Sequence, residues 1–462
     1  MSTSTPATTP SHEPSPTTIR ADRLRQLIET GRIGTVLLAV PDLQGRLKGK
    51  AHDAPHYLEH IAGNGAEACA YVLATDVDMR PVDGYDLASW DTGYGDLRLM
   101  PDPNTLRILP WTPRTALMLA DAVDTGGQPV EVAPRQVLRQ QLAELAQLGM
   151  TAKAGLEAEF FLYPHDPARI ADGRPLAPVS PDNLDYALDY PAPLAHYLRT
   201  LPEHLRAAGM PVEAVKTEGA PGQVEVTFPY GDPLQACDNH LVFKHGARAV
   251  AHEQGLVPTF MAAPATGLAS GLHIHLSLWS QDKPVLADST GALSPAALQV
   301  IAGLLDALPQ LAPLYAPTCN SYRRYRPASF APTHFTWGHD NRTCAVRVTG
   351  HGRGRHLEIR LPGADANPYL ALAAVLAATL HGIRQALTPP PPITGNAYQA
   401  TGHAPIPASL EQALTAYTKD HLAAHLLTPP VARHYQNGAQ VELDALRYAV
   451  PDTERRRGFT RA

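Results

Sequence analysis

Hydrophobic and polar positions alternate in four short stretches of the chain. GLEAEFF (155–161) sets Glu157 and Glu159 two apart among apolar neighbours, and GLHIHLSLW (271–279) does the same with His273, His275 and Ser277. HLEIRL (356–361) repeats it with Glu358 and Arg360, and GQVEVTF (222–228) places Glu225 between two valines. Residues i and i+2 of a strand face the same side. Each stretch therefore predicts a strand with polar groups on one face and Leu, Ile, Val or Phe on the other. Elsewhere the period is helical. After Pro134, the residues Val137, Leu138, Leu142, Leu145 and Leu148 recur at helical spacing, and Gly149 supplies a stop. Further helices are expected over about 185–208, 233–254, 296–308, 366–387 and 409–426. The Ala-rich run Tyr369–Leu380 is too short to span a bilayer and predicts a buried helix.

Towards the N-terminus, Ile33–Val40 is strand-like, and PDLQGRLKGK (41–50) supplies a turn and then a basic strand. Residues 75–103, rich in Asp, Gly and Pro, are expected to be mostly loop. GGQPVEVAP (126–134) reads as a linker, and Pro389–Pro392 as a stiff loop. The expected division is a disordered tail over 1–20, a small α+β domain over 21–126 and a larger domain over 127–462. A length of 462 residues suits two or three domains, and 44% hydrophobic residues support a substantial core.

The net charge of −6 and the lack of a basic arm argue against a nucleic-acid partner. RRRGF, Arg455–Phe459, reads as a solvated or interface turn. The four cysteines are scattered and form no CxxC pair, so neither a thiolate zinc site nor a disulfide framework is indicated, and a reducing cytoplasm fits best. The first 18 residues are rich in Ser, Thr and Pro without an apolar segment, unlike a secretory signal.

The alternating strands change meaning when their polar residues are compared. A merely solvated face carries Lys, Thr, Ser and mixed charge. Here the groups are Glu and His, which bind metals, and Arg, which binds carboxylate or phosphate. In VEAVKTEGAPGQVEV (212–226), Gly219, Pro221 and Gly222 form a turn across which Glu218 and Glu225 can approach. Five glutamates and one or two histidines make two hard-cation sites, better suited to Mg²⁺ or Mn²⁺ than to Zn²⁺. Eight arginines (323, 324, 326, 342, 347, 353, 355 and 360) follow within 38 residues. A divalent cation with many arginines is the equipment of phosphoryl transfer, and no GxxxxGK[ST] loop is present to do the same work.

These stretches, together with NSYRR (320–324), DNRT with AVRV (340–348), HLEIRLPGADANPYLALAA and the closing PDTERRR, resemble the glutamine synthetase family in the family's own order. The resemblance spans roughly residues 42–457. It implies an α+β fold, with an N-terminal β-grasp domain and a catalytic domain on a curved, mostly antiparallel sheet. It also implies a cytoplasmic homo-oligomer, a dodecamer of two hexameric rings with active sites between subunits. The reaction it implies is ATP-dependent: the γ-carboxylate of glutamate is phosphorylated, and an amine then takes the γ-glutamyl group. ATP and two to three Mg²⁺ or Mn²⁺ ions per site are expected. Position by position, Glu159, Glu218 and Glu225 match the ligands of one metal, and Glu157, His273 and Glu358 those of the other. Arg324 and Arg360 match the arginines on the glutamate carboxylate, and Arg342 and Arg347 those on the transferred phosphoryl group. Glu213, Ser277 and His275 fall at the nucleotide, and Tyr230 where an aromatic ring stacks on adenine. Asp76 or Asp78 matches an N-terminal aspartate of ammonia users.

The departures bear on the amine. Phe330 stands where ammonia-using members carry a glutamate that binds ammonium and accepts its proton, and a phenyl ring does neither. Leu268 and Ala269 replace an Asn-Gly pair at the glutamate side, Lys216 and Thr217 replace two histidines beside Glu218, and His356 replaces an arginine. Tyr398 matches the adenylylated tyrosine of some members only roughly, and no such regulation is expected. Together these departures point to ligases that join glutamate to an organic primary amine, ethanolamine favoured over a polyamine. Ammonia use and a non-catalytic paralogue stand as alternatives.

Overall fold

The computed structural model describes residues 21–461. The expected tail over 1–20 lies outside the described residues. The fold is α+β, built on two sheets. The first contains β1 (Thr35–Pro41), β2 (Leu47–Asp53), β3 (Ala66–Cys69), β4 (Asp96–Pro101), β5 (Arg107–Ile108) and β6 (Thr115–Val123). Its order is β2-β1-β6-β4-β3, with β5 also on β6. Only β1 and β6 run parallel.

The second sheet contains β7 (Thr151–Pro164), β8 (Ala214–Thr217), β9 (Gln223–Thr227), β10 (Leu256–Thr259), β11 (Leu272–Ser280), β12 (Lys283–Pro284), β13 (Trp337–His339), β14 (Val346–Thr349) and β15 (His356–Ile359). Its order is β13-β14-β15-β11-β7-β9-β8, and all pairs but β13–β14 are antiparallel. The long strand β7 is the spine. Residues 151–158 pair with β11, residues 157–161 with β9 on the other side, and the last four residues with β10. The apolar alternates Leu156, Ala158, Phe160, Leu272, Ile274 and Leu276 are buried against the helices. The Glu and His alternates are left on the opposite face.

The run over 369–380 is the buried helix Pro368–Arg384. Asn367 caps it by accepting from the Tyr369 N–H, and Pro368 fits the first turn. It is apolar all round because it is covered all round. The helix Pro295–Ala307 crosses it at Gly303 and Gly382. A Cβ on Gly303 would lie 2.2 Å from the Ala378 carbonyl oxygen, so this crossing demands glycine. No helix among the described residues is long and apolar enough to cross a membrane.

Several boundaries differ from expectation. The helix expected from 185 starts at Ala192, because Tyr190 precedes Pro191 and is pushed out of the helical region, while Pro193 fits only a first turn. The helix expected over 409–426 breaks in two, Leu410–Thr418 and Leu422–Leu426, where Asp420 and His421 turn left-handed (φ 55° and 54°). Asp96–Pro101, expected as loop, is β4, buried through Leu97 and Leu99. RRRGF lies in an exposed helix, Asp452–Arg461, rather than a turn.

Candidate functional site

The register of the second sheet lines up the polar alternates. His273 on β11 faces Glu157 on β7, and Glu159 faces Glu225 on β9. On the other side of β11, His275 faces Glu358 on β15, which faces Arg347 on β14. At the far edge, Lys216 on β8 faces Glu225. Antiparallel partners share a face, so one surface of six neighbouring strands carries nearly all the chemistry.

Two groups on this surface could hold a cation. Glu157, His273 and Glu358 form one, and Glu159, Glu225 and His273 the other; in each, the offered atoms lie within 4.8 Å of one another. His273 is shared, with Nδ1 3.3 Å from Glu157 and 3.6 Å from Glu358, and Nε2 3.7 Å from Glu159. Glu159 is held by the Gly271 N–H at 2.7 Å and by the Gln223 side-chain amide at 3.1 Å. Gln223 also donates to the Ala269 carbonyl at 3.0 Å, tying the loop before β11 to the same carboxylate. Glu218 lies outside both groups. It is drawn onto the Lys216 ammonium, which also sits 3.7 Å from Glu225.

Electrostatics divide the carboxyls. Burial would raise Glu157, but hydrogen bonds and charge from His273 and His275 outweigh it and hold it well below the usual range. Burial likewise opposes ionisation of Glu358, yet Arg360, the two histidines and Arg347 bring it down to about 2. Glu225 goes the other way. Burial, reinforced by the neighbouring Glu157, raises it well above the usual range despite Lys216. A donor set in which burial and neighbouring carboxylates disfavour ionisation of Glu225 is short of positive charge. A divalent cation supplies that charge, so these residues fit a Mg²⁺- or Mn²⁺-type ion.

The arginines fall into three situations. Arg347 Nη1 donates to Glu358 at 2.7 Å and its other nitrogens to Asp340; Arg360 pairs with the other oxygen of Glu358. Arg324 is 2% exposed and donates to the carbonyls of Arg360 (3.1 Å) and Leu361 (3.0 Å). It also packs on Gly271, where a Cβ would lie 2.8 Å from both Arg324 Nη2 and His273 Nε2. Arg342 and Arg323 are exposed. Phe330 is 65% exposed, and its carbonyl accepts from Arg360 Nη2 at 3.3 Å, which links its loop to the Glu358 group.

A cavity of about 280 Å³ opens beside Glu157, lined among others by Glu213, Tyr230, His275, Ser277 and Trp279. Trp279 donates to Ser277 Oγ at 3.0 Å, and the Lys153 ammonium lies 4.3 Å from its ring centre. Asp76 and Asp78 lie elsewhere, in the turn over which Arg46 reaches the carbonyls of Asp76 and Val77.

Sequence reading missed Gln223, Trp279, Lys153 and Asp340. Gln223 and Lys153 were legible as alternates of Glu225 and Glu157 on their strands. Trp279 was likewise two beyond Ser277 on its strand, whereas Asp340 followed no alternation.

Residues 131–458 match the family described as "Glutamine synthetase, catalytic domain". The chain is 45% identical over 442 residues to the gamma-glutamylethanolamide synthetase GlnA4 of Streptomyces coelicolor, covering 95% of this chain and 96% of that protein. It is 34% identical over 422 residues to a glutamate–isopropylamine ligase of a Pseudomonas species, covering 89% and 92%. A solved chain titled "GmaS/ADP complex-Conformation 1" superposes with a TM-score of 0.81 at 30% identity, covering 94% of this chain and 99% of that one. The chain belongs to the glutamine synthetase family, as an ATP-dependent carbon–nitrogen ligase.

Proposed function

We propose that this enzyme joins the γ-carboxylate of glutamate to a small primary amine, ethanolamine first, through a γ-glutamyl phosphate. The observation that carries the reading is Phe330. Its loop is tied through Arg360 to the Glu358 group, and it offers a phenyl ring where an ammonium-binding carboxylate would stand. A ring there attracts no NH₄⁺ but packs against the carbon chain of an organic amine, worth on the order of 1–2 kcal/mol. The names of the two relatives, an ethanolamide synthetase and an isopropylamine ligase, support the same amine class.

In this reading Glu157, His273 and Glu358 hold one divalent cation, and Glu159, Glu225 and, once released from Lys216, Glu218 hold a second. The ions neutralise phosphate charge when bound. Arg324 and Arg360 orient the glutamate. Glu159 shapes the reacting end, and Arg342 and Arg347 neutralise the phosphoryl group as it moves. Glu213, His275 and Ser277 hold the nucleotide beside the Tyr230 ring. Ala269, whose carbonyl is fixed by Gln223, and Phe330 bound the amine and glutamate pockets. The working assembly in this reading is a cytoplasmic dodecamer with sites shared between subunits.

Phosphate release from ATP with glutamate and Mg²⁺ tests this, with ammonium, methylamine, ethanolamine, putrescine and spermidine as separate acceptors. Turnover with ethanolamine but not ammonium is expected. Turnover with ammonium alone overturns the reading and leaves Phe330 as a packing residue.

A further inference from the structure

At the far end of β7 from the carboxylates, β10 pairs with residues 161–164, and the helix Pro233–Glu253 packs beside it. Between that helix, β10 and the turn joining β1 to β2 lies a cavity of about 690 Å³. Its size falls within the roughly 300–1,000 Å³ of ligand pockets. Its walls include Arg46, Lys244, His245, Arg248, His165 and His252, and no lining residue is acidic.

Arg46 is already paired, with Asp42 at 2.8 Å. The other two cations are not. Lys244 is 5% exposed, and its ammonium has no hydrogen-bond acceptor among the described residues; it lies over the face of the Phe260 ring, 4.9 Å from the centroid. Among the described residues Arg248 makes only a 3.5 Å contact to the Lys244 carbonyl, and it lies over the same ring. His245 accepts from the Trp111 indole N–H at Nδ1 (2.9 Å), so its Nε2 carries the hydrogen and is a further donor. A buried ammonium without a hydrogen-bond acceptor is costly. Burial and the neighbouring Arg248 bring the Lys244 amine down to about 7 against the opposing charge of Asp365 and Asp42, neither of which makes a direct ion pair with it among the described residues.

We propose that this cavity is a second ligand site, separate from the catalytic surface, for a small dianion whose charge lies on a phosphoryl group or on paired carboxylates. Lys244 and Arg248 would pair with its charge, and His245 Nε2–H would donate to it. The cavity has room for a molecule larger than inorganic phosphate.

Calorimetric titration of the full chain tests this, with inorganic pyrophosphate and succinate as separate probes. The variants are Arg248→Gln and Lys244→Met in this cavity, and Arg347→Ser on the catalytic surface. The expected result is binding of at least one probe that weakens tenfold or more in Arg248→Gln and in Lys244→Met but persists in Arg347→Ser. Which probe binds tells a phosphoryl ligand from a dicarboxylate. Binding of neither probe, or binding lost in Arg347→Ser and kept in Arg248→Gln, overturns the proposal. Arg248 is exposed to the cavity rather than to the core. Its variant therefore decides the question alone if Lys244→Met does not fold.

Discussion

Phe330 holds a left-handed backbone (φ 58°), two residues after Ala328 in the same region (φ 60°). A bulky residue there costs roughly 1–2 kcal/mol against the ordinary conformation. The loop keeps the conformation while leaving the ring 65% exposed, so the ring is placed rather than packed. Phe330→Glu preserves the backbone and restores a carboxylate. It should raise ammonium turnover relative to ethanolamine by tenfold or more, measured as the ratio of kcat/KM values; an unchanged ratio would detach this loop from amine choice. At Glu159 the change is one of charge. Glu159→Gln keeps the acceptor for the Gly271 N–H and removes the negative charge from its group. Turnover should fall by on the order of a thousandfold, as for loss of a group that organises transition-state charge. The rise in melting temperature on adding Mn²⁺ should also shrink. A variant with full activity would refute the assignment of Glu159 as a metal ligand.

Elements pair residues that no local pattern announces. His434, in the helix Pro429–Arg447, packs against Tyr85 with the rings tilted by 46° and 4.6 Å between centroids, and is 5% exposed. Burial lowers its imidazole to about 4, against slight opposition from the Leu73 backbone and Asp86. The unfolded chain, near 6.5, takes up the proton first as pH falls. The stability His434 contributes is therefore complete above about 6.5 and is lost between there and about 4. Between pH 7 and 5 the loss is about 2 kcal/mol. Urea unfolding at the two pH values should show at least that loss, and the loss should be about 2 kcal/mol smaller in His434→Gln. His240, buried with neither ring nitrogen partnered and lowered well below its usual value, acts in the same direction and remains in the variant. Sequence pattern gave no warning of His434, because a lone histidine on a helix face looks the same whether solvated or packed. The strands 155–161, 222–228, 271–279 and 356–361 were legible because period-two alternation survives in a single sequence. Which strand faces which was not, since register is set by turns and by pairing across long separations. That is why Glu218 could be grouped with Glu225 on paper, whereas in the fold Lys216 takes it first.

Across the whole molecule, one buried arginine joins the first sheet to a helix packed on the second. Arg135 opens the helix Pro134–Gln147 and is 2% exposed. It binds Asp238 with two nitrogens, at 3.0 and 2.9 Å, and Asp102 at 2.9 Å, and it pairs with Asp121. Asp121 belongs to β6 and Asp102 follows β4, whereas Asp238 lies on the helix Pro233–Glu253 and also accepts from the Tyr369 hydroxyl at 2.6 Å. Burial keeps the Asp238 carboxyl above its usual value even with Arg135 beside it, so its ionised form depends on that partner. Arg135→Met should therefore leave a buried, uncompensated acid and cost about 3–5 kcal/mol, read from the urea midpoint. The neighbouring Arg139 touches Asp102 and Asp121 from a side chain 38% exposed, and Arg139→Gln should cost under about 1 kcal/mol. Adding Asp238→Leu to Arg135→Met should recover much of the loss, because the penalty belongs to the orphaned charge rather than to the missing attraction. Equal losses in the two arginine variants would mean that the network only decorates the junction between the sheets. A large loss at Arg135 that Asp238→Leu relieves would mean that the junction is set by one buried charge balance, and through it the placement of β6 and its sheet against the helices behind the catalytic face.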